Sequence, residues 1–280
     1  MKIEIFNVEH GACALLTDNL GQRMMIDCGH NTSSGWKPGS YLHSLGVTYL
    51  HKLWITNYDE DHVSGINDLF DNVTVANLSR NTDVSPALIS HHKRNNTMGA
   101  GIARLIKEAT YNFAAPGMPV PGNPILQFSG ITEQVFWNTY AQFQDENNLS
   151  VVLRLACDGT VIMFTGDMEL SGWRALLTRP DFRQALLGVD IFVASHHGRE
   201  DGYCEEMFQY FGPNCPRFVV VSDKSIVHET QKTGAWYAGK AFGGNFNGEE
   251  KRKFITTRSD GSLLIVPNAP TNTYTFSKLS

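Results

Sequence analysis

The chain has 280 residues, 42% of them hydrophobic and 18% charged, with a formal net charge of −5 at pH 7. That length and composition exclude a disordered chain and allow a large buried core. The acidic balance excludes sequence-independent coating of nucleic acid through bulk charge. No apolar run reaches the about eighteen residues of a membrane span, and no signal-peptide pattern opens the sequence, so the expectation is a cytoplasmic protein with no membrane partner. Five cysteines, an odd number without a C-x-x-C pair, fit a reducing compartment in which thiols pack as small apolar groups.

Apolar or alternating runs predict strands over 2–7, 12–17 and 23–27, split by Glu9-His10-Gly11 and by the turn-rich 18–21. A short helix over 41–45 ends at Gly46, a buried strand covers 52–56, a helix-like stretch 63–70, and a strand 73–78. From 79 to 148 the pattern loosens. One helix is expected over 100–109, followed by Pro116, Pro119, Pro121 and Pro124 with glycines between them. That segment reads as an insertion over the site, within a single domain spanning 1–280. Regularity returns with a hairpin, 150–156 and 160–164, around Cys157-Asp158-Gly159. A helical region over 170–187, a strand over 189–195, a helix over 205–211, a strand over 217–222 and a helix over 230–240 follow. A last hairpin pairs 253–257 with 262–266 through Arg258-Ser259-Asp260-Gly261. Strands in groups with helices between them predict an α/β fold of two sheets packed face to face and covered outside by helices.

The chemistry gathers at strand ends. Thr56-Asn57-Tyr58-Asp59-Glu60-Asp61-His62 follows a strand and offers carboxylates and an imidazole that can converge on a cation. Asp167 follows the strand over 160–164, with Gly166 permitting close backbone approach. His196 and His197 follow the next strand, and His228 comes after the one over 217–222. A single His or Asp after a strand is usually a cap or turn residue; four such clusters in one chain resist that explanation. The runs His91-His92-Lys93-Arg94 and Lys251-Arg252-Lys253 are the local basic patches.

Taken together these segments resemble the metallo-β-lactamase superfamily, and within it the branch at the C-terminal end of bacterial DNA-uptake (competence) channel proteins. The resemblance is carried by residues 7–16, Met25-Ile26-Asp27-Cys28-Gly29, the 57–62 loop, residues 147–152, Thr165-Gly166-Asp167 and His196-His197-Gly198. It implies a four-layer αββα sandwich. It also implies a two-cation centre, with Asp59, Asp61 and His62 on the last three positions of the branch's His-x-Asp-x-Asp-His motif and Asn57 where the first His stands. One site would comprise Asn57, Asp59, Asp167 and His197, weakened by the neutral amide; the other Asp61, His62, Asp167 and His228. The expected ion is Zn²⁺, with Mn²⁺ or Mg²⁺ also suited to so oxygen-rich a set.

The same resemblance makes Asp61, His196 and Asp27 the catalytic group. Asp27 would orient ligands, and His196 would protonate a leaving group or contact a phosphate. Arg199, Lys224, Lys93 and Arg94 would bind substrate anions. The implied activity is that of a metallo-hydrolase, a phosphodiesterase or nuclease, because bound cations lower the pKa of water from near 16 to about 7. Nucleic acid or another phosphodiester would be the substrate, and a protein of a bacterial defence or mobile-element system a partner. The same chemistry permits hydrolysis of a small ester, thioester or lactam, and Asn57 leaves open a weakened domain that only binds metal.

Overall fold

The computed structural model describes residues 1–94, 98–114, 127–224 and 232–279. The N-terminal part contains β1 (Lys2–Ile5), β2 (Ala14–Thr17), β3 (Arg23–Ile26), α1 (Pro38–Ser44), β4 (Tyr49–Leu50), β5 (Lys52–Trp54), α2 (Glu60–Val63), α3 (Ile66–Asn72), β6 (Thr74–Val75) and β7 (Leu78–Ser79). The middle adds α4 (Pro86–His92), α5 (Ala100–Tyr111), β8 (Ile131–Phe136), β9 (Val152–Cys157), β10 (Thr160–Phe164), α6 (Leu170–Leu177), α7 (Pro180–Leu186) and β11 (Ile191–Val193). The rest is β12 (Phe218–Val221), α8 (Gly234–Lys240), β13 (Gly244–Phe246), β14 (Glu249–Arg252), β15 (Phe254–Thr256), α9 (Thr257–Asp260), β16 (Leu263–Asn268) and β17 (Thr273–Lys278).

Two sheets form the centre. One has the order β17-β16-β1-β2-β3-β5-β7, the other β15-β12-β11-β10-β9-β8. Alternation along the strands decides what each face covers. Ile3 and Ile5, Ala14 and Leu16, Met24 and Ile26 point inward, onto Leu153, Leu155, Ile162, Phe164, Ile191 and Val220 of the second sheet. The opposite face of the first sheet carries Leu15, Met25 and Leu53, buried under Leu42 of α1, Ile66 and Leu69 of α3, and Ile102 and Leu105 of α5. The outer face of the second sheet, with Met163, Phe192 and Val219, is covered by Trp173 and Leu176 of α6, Phe182 of α7 and Tyr237 of α8. The result is the four-layer αββα sandwich that the sequence led us to expect.

Three local expectations are corrected. The run over 73–78 divides between β6, which pairs with β4, and β7, which extends the first sheet. The pair 253–257 and 262–266 is not a hairpin: β15 lies parallel to β12 in one sheet and β16 pairs with β1 in the other. The Arg258–Gly261 segment, read as a turn, therefore begins as the helical α9 and carries the chain across the sandwich. The loose segment 79–148 also supplies a strand, β8, whose alternating polar pattern suits an edge position beside β9. All five cysteines are free, four of them buried, as apolar packing requires.

Leu155 is fully buried between the two sheets. Leu155→Ala should cost about 2–5 kcal/mol in denaturant unfolding. The exposed Val266→Ala should change stability by no more than about 0.5 kcal/mol.

Candidate metal centre

Strands β10, β11, β12 and β15 run parallel, as do β3 and β5, so several strand C-termini open onto one edge of the sandwich. That is where open α/β sheets bind ligands. Asp27 follows β3, the 56–62 loop follows β5, Asp167 follows β10, His196 and His197 follow β11, and Ser222 follows β12. Close packing forces glycine at Gly11 (φ +135), where a Cβ would lie 2.4 Å from the Asp61 carbonyl oxygen. Gly166 (φ +52) likewise lets the chain turn against Ser150 and Thr56 before Asp167.

Four side chains converge. His62 Nε2 is 3.0 Å from Asp167 Oδ1. His197 Nε2 is 3.1 Å from Asp61 Oδ2 and 3.6 Å from Asp167 Oδ1. Asp61, His62 and His197 offer ligand atoms within 4.8 Å of one another. The tautomers follow from the partners of the other ring nitrogens. His197 Nδ1 is 3.0 Å from the Ser222 carbonyl, which only accepts, so Nδ1 carries the proton and Nε2 turns inward. His62 Nδ1 is 2.8 Å from Asp27 Oδ2, and Asp27 is itself fixed by the Thr56 N–H at 2.7 Å and the Thr56 hydroxyl.

His197 Nε2 is buried between the two carboxylates, at ion-pair distance from both but in line with neither for a well-formed hydrogen bond. Atoms bound about 2.0–2.2 Å from Zn²⁺ stand roughly 3.3 Å apart in a tetrahedron. The observed spacings bracket that value, so Asp61, His62 and His197 can share a divalent cation, with Asp167 beside the two imidazoles. Charge points the same way. Burial opposes ionisation of His62, yet Asp167 and Asp27 hold it well above the ordinary imidazole range. Against the same cost, Asp167 and Asp61 hold His197 at about 10. Burial would raise Asp61, but the His197 ring brings it to about 2, and His62 and His197 hold Asp167 well below the carboxylate range. The chain concentrates negative potential at one buried point.

The backbone there is strained. Asp27, His196 and His197 have φ of 54°, 49° and 52°, in the left-handed region that side-chain-bearing residues avoid.

Other residues singled out from the sequence lie around this centre. Asn57 is buried, its Oδ1 accepting the Asp59 N–H at 2.7 Å and its Nδ2 donating to Asn147 Oδ1 at 3.2 Å and Ser150 Oγ at 3.0 Å. The Asp59 carboxylate accepts from the Lys93 ammonium, which also donates to Glu146. Burial would lower Lys93, but Asp59 and Glu146 raise it above the ordinary lysine range. His196 points away from His197's partners: Nδ1 is 2.9 Å from Asp201 and 3.8 Å from Glu169, and Nε2 is 3.0 Å from Arg199 Nη1. Lys224 is 49% exposed and 3.1 Å from Glu9, and Arg94 is exposed at the end of α4. His228 lies outside the described residues.

The structure thus groups Asp61 and His62 with His197, where the sequence divided them between two sites. Sequence reasoning missed Ser222, which acts through a backbone carbonyl that no side-chain pattern marks. It also missed Glu146 and named Thr56 without a role, because their contacts depend on the tertiary course of two loops.

No family model and no curated protein matches the sequence. Among solved structures the chain is similar to the metallo-β-lactamase fold protein YhfI from Bacillus subtilis, with a TM-score of 0.50, 13% identity, and coverage of 94% of this chain and 99% of that one. It is also similar to Zn²⁺-bound PqqB from Methylobacterium extorquens, with a TM-score of 0.43, 12% identity, and coverage of 92% of this chain and 90% of that one. For a diphosphatase of the PhnP family the TM-score is 0.42 and the identity 9%, over 79% of this chain and 86% of that one. Layer order, sheet topology and the likeness to YhfI agree: this chain has the metallo-β-lactamase fold.

Proposed function

We propose that the chain is a metal-dependent hydrolase whose cation is held by Asp61, His62, Asp167 and His197, and that its substrate is a phosphodiester. The observation that carries this reading is the convergence of His62 Nε2 and His197 Nε2, each ring fixed from behind at Nδ1, on the carboxylates of Asp61 and Asp167. A divalent cation bound there supplies Lewis acidity and an acidified water at neutral pH. Asp27 orients His62 and, through Thr56, ties it to the β5 exit. Asp61, one-third exposed at its side chain, is the most open of the four. Its carboxylate is therefore the one of the four that an incoming water meets first.

The phosphodiester as substrate is supported by cations that follow the strands bearing the centre, Arg199 after β11 and Lys224 after β12, and by the resemblance of the 57–62, 165–167 and 196–198 segments to the competence-channel branch. Zn²⁺ or Mn²⁺ is the ion this mixed nitrogen and oxygen set favours.

The activity test is direct. The purified chain is incubated with plasmid, single-stranded DNA, RNA and bis-p-nitrophenyl phosphate under Zn²⁺, Mn²⁺ or Mg²⁺. Cleavage is expected, and Asp61→Ala and His62→Ala should each abolish it. Turnover of carboxylic esters alone would transfer the reading to ester hydrolysis, and tight metal binding with no turnover would reduce it to a binding domain.

Asp27→Asn should leave the fold intact and weaken metal affinity by about 10–100-fold in a chelator competition, because it removes the group that orients His62. Unchanged affinity would remove Asp27 from the centre. In chelator-treated protein the imidazolium–carboxylate pairs stabilise the fold. Since His197 is raised to about 10, that contribution is complete below its unfolded pKa of about 6.5 and is lost as pH rises through 10. Denaturation midpoints should therefore fall from pH 7 to pH 10, and His197→Gln should flatten the fall.

A further inference from the structure

The Lys93 side chain is 3% exposed, beside the loop that carries Asp61 and His62. An ammonium withdrawn from water costs several kcal/mol unless it is closely paired. Its partners are Asp59, which precedes α2, and Glu146, in the loop before β9. Two carboxylates from separate segments, brought onto one buried positive charge, form the arrangement that a divalent ion would otherwise satisfy. Asn57 closes the neighbouring wall, with Oδ1 on the Asp59 N–H and Nδ2 on Asn147 and Ser150. Ser150 Oγ in turn accepts the Asp167 N–H at 3.0 Å, so this wall is continuous with the metal centre.

We propose that the Lys93 ammonium is a built-in counter-cation: it takes the place of a second divalent ion between Asp59 and Glu146, and the centre holds one ion. The inference rests on the one-cation reading above but turns on different residues. An ammonium neutralises carboxylates as an ion does, yet it has no open coordination position and cannot polarise a substrate oxygen. It also cannot be removed by chelation. Lys93 is thus a positioning residue. It fixes Asp59, two residues before Asp61, from the C-cap of α4 in the 79–148 segment.

A separate contact argues against a metal at Glu169, His196 and Asp201. The Arg199 guanidinium donates to His196 Nε2, so the proton sits on Nδ1, the atom that would have to ligate.

The experiment counts tightly bound ions per chain by elemental analysis after dialysis against Zn²⁺ or Mn²⁺. Wild type should hold one. Lys93→Met, which frees Asp59 and Glu146, should hold two. Lys93→Met with Asp59→Asn should return to one, and Lys93→Arg should stay at one. Two ions in wild type overturn the proposal even if Lys93→Met fails to fold. So does a folded Lys93→Met, checked by circular dichroism, with the wild-type count, or a gain that persists in the double variant. A wild type with no ion and a Lys93→Met with one would sink the hydrolase reading while leaving Lys93 as the counter-cation.

Discussion

The confrontation of two inward-facing imidazole nitrogens with two carboxylate oxygens, in a place water scarcely reaches, governs this structure. The Ser222 carbonyl and Asp27 hold the Nδ1 protons of His197 and His62 on the outside, leaving both Nε2 atoms opposite Asp61 and Asp167. Only positive charge reconciles such a set, as protons on the rings or as a cation between them. The loops that deliver it come from both sheets. Their geometry is costly, because Asp27, His196 and His197 each occupy left-handed backbone at on the order of 1–3 kcal/mol. Strand pairing and local contacts pin them there. The Asp27 N–H reaches the Trp54 carbonyl at 2.8 Å and the His196 N–H the Gly166 carbonyl at 3.1 Å.

The 59–62 segment divides its labour by direction. Asp61 and His62 face the centre. Asp59 and Glu60 face the other way, Asp59 onto Lys93 and Glu60 onto the first amides of α5, Gly101 N–H at 2.8 Å and Ile102 N–H at 3.0 Å. Carboxylate at a helix N-terminus is favourable both as a hydrogen-bond acceptor and against the helix dipole. The helix sits close because its start carries Gly99 and Gly101; a Cβ at Gly101 would lie 2.3 Å from the Val63 carbonyl oxygen.

Much of the architecture is legible because strands covered on both faces read as short, nearly continuous apolar runs bounded by turn residues. β1 through β3 and β9 through β12 are largely of that kind. Where the period was ambiguous the reading slipped. The apolar residues on either side of 258–261, Phe254 and Ile255 before it and Leu263 to Val266 after it, look like a hairpin, but α9 intervenes and sends the strands to different sheets. The candidate ligands were legible as residue types at strand ends. Their grouping was not, since the meeting of Asp61 with His197 depends on how two sheets face each other. Nor could spacing along the chain show that Asn57 and Asp59 are claimed by Asn147, Ser150 and Lys93, because those partners lie between 34 and 93 positions away.

The double grip on Asp59 and Glu60 changes what the long excursion between β7 and β8 is for. It looks dispensable, a stretch that a protein engineer would shorten to obtain a minimal scaffold. Yet Lys93 and the opening of α5 both reside in it. Deleting it would strip Asp59 of its countercharge and Glu60 of its amide donors at the base of the loop. A pared-down version that still assembles its reactive edge must retain at least the α4–α5 helical pair, which serves as a brace built into the chain.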